Sequence, residues 1–301
     1  MRDSLIGLVL AATASSCFNL AIVVQASEAR AVPRRAEGMS LSLLGRLVQR
    51  PRWLAGLALS ILAVPLQTVA LMLAPITLVQ PADAFGLVVL LIAGARMLHE
   101  PVGRREVLCV GAIFVGVLGV VLAGVDHTDT HAPTKTLLLV LVPLALVALI
   151  PYLMRGRVPS AAMVVGAGVT FAIGAFALKL IADGLSTGQW ATVVGWGAAA
   201  AALAVLGVNS EMSALQRLPV ARVAPVIFVI ELVVPVMLGP LIGGEVWPSQ
   251  AAKLLLLLGS LALTVAGAAV LMTSGAVVGV LAAEHGQEPG RDAPRQQAAA
   301  A

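Results

Sequence analysis

The chain has 301 residues, is 59% hydrophobic and only 11% charged, with a mean hydropathy of +1.00. A soluble chain carries about 25% charge, so a water-soluble domain of this size is excluded and most of the sequence must face lipid or other buried helices. The net charge of +4 does not point to nucleic acid, because the arginines fall in short loops between apolar runs and form no single basic face.

Nine apolar runs follow one another: Leu5–Gln25, Trp53–Leu73, Ile76–Leu98, Val107–Gly124, Thr136–Met154, Ser160–Asp183, Trp190–Val208, Val220–Ile242 and Ala251–Thr273. Each approaches or reaches the ~20 residues a helix needs to cross ~30 Å of hydrocarbon. Strand-type alternation is absent, so an all-α polytopic membrane protein is expected.

The first run is too long for a signal-peptide core, and Arg30, Arg34 and Arg35 follow it. A retained first span is therefore expected. TASSC, ending at Cys17, is a poor lipoprotein signal because the apolar run continues past it. Cys17 and Cys109 read as small buried residues. In the segment 27–52, Met39, Leu43, Leu44 and Leu47 recur at helical spacing beside Arg46 and Arg50. That predicts a helix lying on the membrane surface.

Orientation follows from the basic residues. Arg30 to Arg52 occupy the first linker; Arg96, Arg104 and Arg105, then Arg155 and Arg157, then Arg217 and Arg222, then Arg291 and Arg295 recur at every second gap. The alternate side carries Arg2, Lys135, Lys253 and the acidic loop VDHTDTHAPTKT. The N-terminus is expected outside and the C-terminus inside, in a multi-pass protein of a cell membrane, the bacterial cytoplasmic membrane by expectation. The tail is polar and rich in Pro, Gly and Gln from Glu284 onward (EHGQEPGRDAPRQQAAAA). Residues 274–301 are predicted to be a disordered cytoplasmic tail.

Two stretches match each other. PITLVQP at 75–81 and PVARVAP at 219–225 share P-x-x-x-V-x-P, and each follows an Ala-Leu pair, Ala70-Leu71 and Ala214-Leu215. The offset is 144 residues. Further on, with a four-residue slip, Gly111 and Gly119 are spaced like Gly259 and Gly267. Spans two to four thus resemble spans seven to nine. Equivalent spans lie five crossings apart and run in opposite directions, so the expected organisation is an inverted repeat: residues 1–124, a linking loop and fifth span at 125–159, and residues 160–273. Inverted repeats with matched proline-interrupted helices are a construction plan of secondary transporters, with substrate held near the midplane. Pro75, Pro81, Pro219 and Pro225 are then helix breaks that free backbone carbonyls. A helix start duplicated with the repeat is the other reading.

ALMLAPITLVQP, an apolar helix ending in LHEPVGRRE, and VGAIFVGVLGVVL together resemble the second half of an EamA-type unit of the drug/metabolite transporter superfamily. LAATASSCFNLAIVVQ, with APITLVQP and VGAGVTFAIGAFALKLIADG, is more specifically similar to the NIPA-like branch, which is associated with magnesium transport. The resemblance covers residues 5–273 and implies a carrier working by alternating access. The superfamily pattern is five helices plus five, whereas this chain reads as four, a linker and four. The lysine-rich end of the first NIPA-like helix is here Gln25-Ala-Ser-Glu-Ala-Arg.

Ionisable groups inside spans are costly and are functional candidates. Asp83 lies two residues past Pro81, and Glu231 six past Pro225. Two carboxylates facing one cavity can hold a cation, a basic substrate or a proton, and Asp83 and Glu231 are the candidate metal ligands. A wet vestibule for Asp83 and a hydrogen bond to a neighbouring helix for Glu231 are the plainer readings. Lys179, one turn before Asp183, either snorkels or faces Glu231 or an anionic solute. Asn19, Gln67 and Gln80 either line the path or bond between helices. Gly111, Gly116, Gly119, Gly166, Gly168, Gly174, Gly259 and Gly267 permit close helix packing, and the glycine faces of the fourth and ninth spans could pack between subunits of a homodimer.

All four histidines (His99, His127, His131, His285) lie in loops or the tail, and no Cys-His or Ser-His-Asp set falls within the spans. No enzyme and no cofactor is expected. The expected function is a secondary carrier of a small solute or cation, with a Mg²⁺ route, a channel and a non-transporting scaffold as alternatives.

Overall fold

The computed structural model describes residues 2–33, 41–73, 76–124, 126–127, 133–154, 158–243 and 245–285. The elements in chain order are α1 Arg2–Arg30, α2 Ser42–Leu47, α3 Pro51–Leu73, α4 Ile76–Met97, α5 Arg104–Ala123, β1 Asp126–His127, α6 Thr134–Leu153, α7 Ser160–Ser186, α8 Trp190–Leu215, α9 Val220–Leu238, a π-helical turn Gly239–Gly243, β2 Glu245–Val246 and α10 Ala251–His285. Eight of these, α1, α3 and α5 to α10, are long and apolar enough to cross a membrane. α4 has 22 residues, and its described apolar stretch is Ala84–Met97.

Burial is inverted relative to a soluble protein. Leu139, Leu108 and Leu255 are 75%, 72% and 71% exposed, while Asn209, Ser210 and Thr264 are fully buried. Lipid can solvate leucine but cannot satisfy a hydroxyl or amide, so the apolar groups go out and the polar ones in. The chain is a multi-pass helical membrane protein.

The helix ends follow local chemistry. At α5, Gly103 is the N-cap and its N–H donates to the Glu106 carboxylate at 2.9 Å. The same helix ends on Gly124 at φ +67°, the left-handed region that glycine enters without steric cost. α4 ends differently: His99 takes φ +53°, and Glu100 N–H closes back on the Gly94 carbonyl at 3.3 Å. This turn folds the Glu100 side chain back beside Gly94, whose would-be Cβ lies 3.4 Å from Glu100 Oε2.

α1 packs chiefly on α3 and α4, and α7 chiefly on α8 and α9. α4 also packs on α5, and α9 on α10. The two groups meet through α5 against α10 and through α4 against α9. The largest apolar core joins both groups, with Val23, Leu90, Ile113, Met163, Val223 and Leu271 buried in it. β1 pairs with β2 in antiparallel register, Asp126 opposite Val246 and His127 opposite Glu245.

Several expectations change. α1 extends through Arg30, so Glu28 and Arg30 belong to the first helix and not to the linker. The surface segment is helical only over Ser42–Leu47, with Leu43 and Leu47 buried; residues 34–40 lie outside the described ones. α8 runs to Leu215, beyond the apolar limit at Val208. Its last turns are polar but buried, because other helices supply partners that a hydropathy reading does not see. α10 continues to His285, so residues 274–285 are helical where an irregular tail was expected.

Pro219 is no break: it is the N-cap of α9, at φ −60° and ψ 144°, where a missing N–H costs nothing. Pro225 sits inside an uninterrupted α9. α4 likewise begins at Ile76 and continues through Pro81, while Pro75 lies outside the described residues. The shared motif is thus a helix start followed by a second-turn proline.

The glycines of α5 and α10 serve this chain's own packing. A Cβ on Gly116 would come within 2.5 Å of Thr264 Cγ2 and 2.8 Å of the Ser260 carbonyl, and one on Gly119 would overlap the Ser260 hydroxyl. Gly267 lies the same way against Cys109, its would-be Cβ 3.0 Å from that carbonyl. Gly116, Gly119 and Gly267 are therefore occupied within the chain and do not offer a face to a second copy. Gly111 and Gly259 have open space in front of them.

Candidate functional site

Glu231 lies on α9 about 17 Å along the axis from Val220, at 1.5 Å per residue. Upstream, Pro225 lacks the N–H that would bond the Ala221 carbonyl. The Glu231 side chain is exposed, open on one side while packed helices surround its carboxylate.

A second carboxylate stands near it. Glu211, near the end of α8, is buried, and Glu231 is its electrostatic neighbour. Among the described residues neither carboxylate has a hydrogen bond or an ion pair. Hydropathy gave no signal for Glu211, because the apolar run stops before it. The available clue was the polar run NSE at 209–211 placed directly at the end of a span.

The rest of that run is buried, and its side-chain polar atoms are bonded except for Asn209 Oδ1. Asn209 Nδ2 donates to the Tyr152 hydroxyl at 3.1 Å, and the Ser210 hydroxyl lies 3.4 Å from the same oxygen. Tyr152 donates in turn to the Leu206 carbonyl at 2.7 Å. Ser213 donates to the Asn209 carbonyl at 2.7 Å. This network fixes α6 to the end of α8 and holds the turn carrying Glu211.

Of the other predicted site residues, Asp83 and Gln80 lie on α4 and Lys179 on α7; their side chains, and that of Pro81, lie outside the described ones. Asn19 is buried on α1 and donates to the Ser15 carbonyl at 2.9 Å. Ser15 and Asn19 press against Gly86 of α4, where a Cβ would overlap both side chains. The described hydrogen bonds of Asn19 stay within α1, so the bond between helices expected as one reading is not seen among the described residues, and the contact with α4 is one of packing. Among the described residues no group of three or more His, Cys, Asp or Glu side chains could hold a metal ion. An apolar groove of about 230 Å³ between α9 and α10, passing Val226, Val233 and Met272, has no carboxylate in its lining.

The arginine-rich end is tied shut around Glu100. Arg30 Nη2 meets Glu100 Oε1 at 2.5 Å, Arg30 Nε donates to the Leu215 carbonyl at 3.0 Å, and Nη2 reaches the Leu218 carbonyl at 3.1 Å. Glu100 also accepts the Val220 N–H at 2.7 Å and the Ala221 N–H at 3.2 Å. A carboxylate on the free N–H groups of a helix start satisfies donors that the helix cannot and complements its dipole. Gln216 adds bonds to the carbonyls of Ala29 at 2.8 Å and Val32 at 3.1 Å. The clamp joins α1, the α4–α5 turn and the α8–α9 turn, and so spans both helix groups.

Comparison with family models, with curated proteins and with solved structures returned no match.

Proposed function

We propose that the chain is a secondary transporter of the drug/metabolite type that moves a small solute by alternating access. Nine helices cross the membrane in this reading, α4 being the ninth, with the N-terminus outside and the arginine-rich end in the cytoplasm. The halves are α1 with α3 to α5, and α7 to α10, joined by α6. The packing supports this: each half repeats the same neighbours, and the equivalent helices α5 and α10 lie on one another.

The observation that carries the reading is the pair Glu211 and Glu231, the first buried and the second exposed, within electrostatic reach of one another and with no described cation paired to either. Two uncompensated carboxylates are costly in a low-dielectric interior. A proton or a positively charged ligand lowers that cost, so the pair suits a cation as cargo or as coupling ion. The Glu100 clamp is then the cytoplasmic gate in its closed position.

The test is counterflow in proteoliposomes with a panel of amines, amino acids and divalent metals including Mg²⁺, at stepped pH. One class should exchange saturably, and both Glu211→Gln and Glu231→Gln should abolish the exchange or uncouple it from pH. Exchange that survives both substitutions would show that the site is elsewhere. Non-saturating flux would make the protein a channel, and Mg²⁺ as the only mover would assign it to divalent-cation transport.

A further inference from the structure

An apolar groove of about 460 Å³ runs between α4 and α5. It extends about 15 Å from Phe85 to Ala95 at 1.5 Å per residue. Phe85, Ile92 and Ala95 form one wall and Val107, Gly111 and Phe114 the other. Every lining residue is apolar. Phe85, Ile92 and Val107 are exposed on the outer surface of the bundle. Gly111 opens the floor, since a Cβ there would meet nothing within 4 Å.

The groove ends among cations. Arg96 follows Ala95, and Arg104 and Arg105 precede Val107; all three are exposed. None of them is ion-paired among the described residues, whereas Arg30, Arg50 and Arg222 are. The acids of this turn are engaged elsewhere, Glu106 by the Gly103 N–H at 2.9 Å and by Arg222 at 3.9 Å, and Glu100 by Arg30 and the Val220 N–H. An open hydrocarbon channel leading to three unneutralised guanidinium groups complements an amphiphile with an apolar chain and an anionic head. Basic clusters where helices leave a membrane bind acidic headgroups in this way. Free phosphate would leave the groove unfilled, and a zwitterionic lipid would leave the arginines uncompensated.

We propose that the α4–α5 groove is a binding site for one anionic phospholipid of the leaflet on the arginine side, an acyl chain lying from Ala95 to Phe85 and the phosphate held by Arg96, Arg104 and Arg105. None of its lining residues is Glu211 or Glu231, and the proposal does not depend on what the protein transports.

Native mass spectrometry of the detergent-solubilised protein, titrated with phosphatidylglycerol or phosphatidylcholine, tests it. Wild type should retain one phosphatidylglycerol in preference to phosphatidylcholine. The surface variant Arg104→Gln/Arg105→Gln should lose that preference by roughly tenfold or more. Gly111→Phe, which fills the groove from its floor, should lose the retained lipid with the arginines intact; if it does not fold, Val88→Trp fills the same groove from α4. Equal retention of both lipids by wild type overturns the proposal and leaves ordinary annular lipid. So does phosphatidylglycerol binding that either class of variant leaves unchanged. Conversion of a dimer to a monomer by Gly111→Phe would assign the groove to a second copy.

Discussion

Glu100 Oε1 holds two partners at once, the Arg30 guanidinium at 2.5 Å and the Val220 backbone N–H at 2.7 Å. One buried carboxylate thereby links the end of the first helix to the start of α9. Removing either side chain leaves the other's charge poorly compensated. Glu100→Ala should destabilise by roughly 2–4 kcal/mol, and the cycle with Arg30→Ala should show coupling of about 1–3 kcal/mol. Thermal unfolding in detergent reads both. Additivity of the two substitutions would reduce the clamp to independent contacts. As a gate, the clamp makes a second demand: Glu100→Ala should speed alkylation of a cysteine placed at Ala214, which is buried beside it.

At Gly86, α4 lies directly against Ser15 and Asn19 of α1. Gly86→Ala would push a methyl into Ser15 and Asn19, with the Ser15 backbone carbonyl a further 3.0 Å contact. The expected cost is about 1–3 kcal/mol. Ser15→Gly in the same chain should recover part of it, because it removes the nearer side chain. A melting temperature unchanged by Gly86→Ala would mean that the two helices separate more easily than their packing implies.

The α5–α10 contact gives a comparison with an internal control. Gly116→Ala meets Thr264 and the Ser260 carbonyl, whereas Gly259→Ala meets nothing within 4 Å. The first should lower the melting temperature. The second should hold or raise it, since alanine in a helix is better than glycine by up to about 1 kcal/mol. Equal behaviour of the two variants would contradict the intramolecular role of Gly116.

The elements were legible because hydrophobic run length alone sets the spans, and eight of the nine apolar runs correspond to helices long enough to cross. The meaning of the prolines was not. P-x-x-x-V-x-P reads as a helix break, but the chain turns just before it, so Pro219 caps α9. What a proline does depends on where the preceding helix stops, and that depends on tertiary partners. The same limit hid Glu211: the window ends at Val208, while Tyr152 from another helix keeps the polar end of α8 folded and buried. One relation crosses both levels. Gly168 receives Ile230, its would-be Cβ 2.8 Å from that of Ile230, and position 230 is Gly86 displaced by the 144-residue offset. A close helix contact thus falls at both positions, with the small residue on α4 in one and on α7 in the other. Spacing can suggest such an exchange, but only packing reveals which partner gave way.

Glu211 and Glu231 carry the functional reading, and their effect on stability should oppose their effect on function. A carboxylate without a partner in a low-dielectric site costs free energy that an amide of the same shape does not. Glu211→Gln and Glu231→Gln should each raise the melting temperature of the empty protein, on the order of 2–4 °C, and abolish stabilisation by any cation that stabilises the wild type. Residues kept at a cost to stability belong to sites where function needs the strain. Glu211 is the sharper of the two, being the more deeply buried. The measurement is thermal unfolding of wild type and both variants across the solute panel. If the glutamine variants melt lower than wild type and respond to the same solutes, the carboxylates hold the fold together through partners and are not a cation site. If they melt higher and respond to nothing, the charge is retained for the ligand.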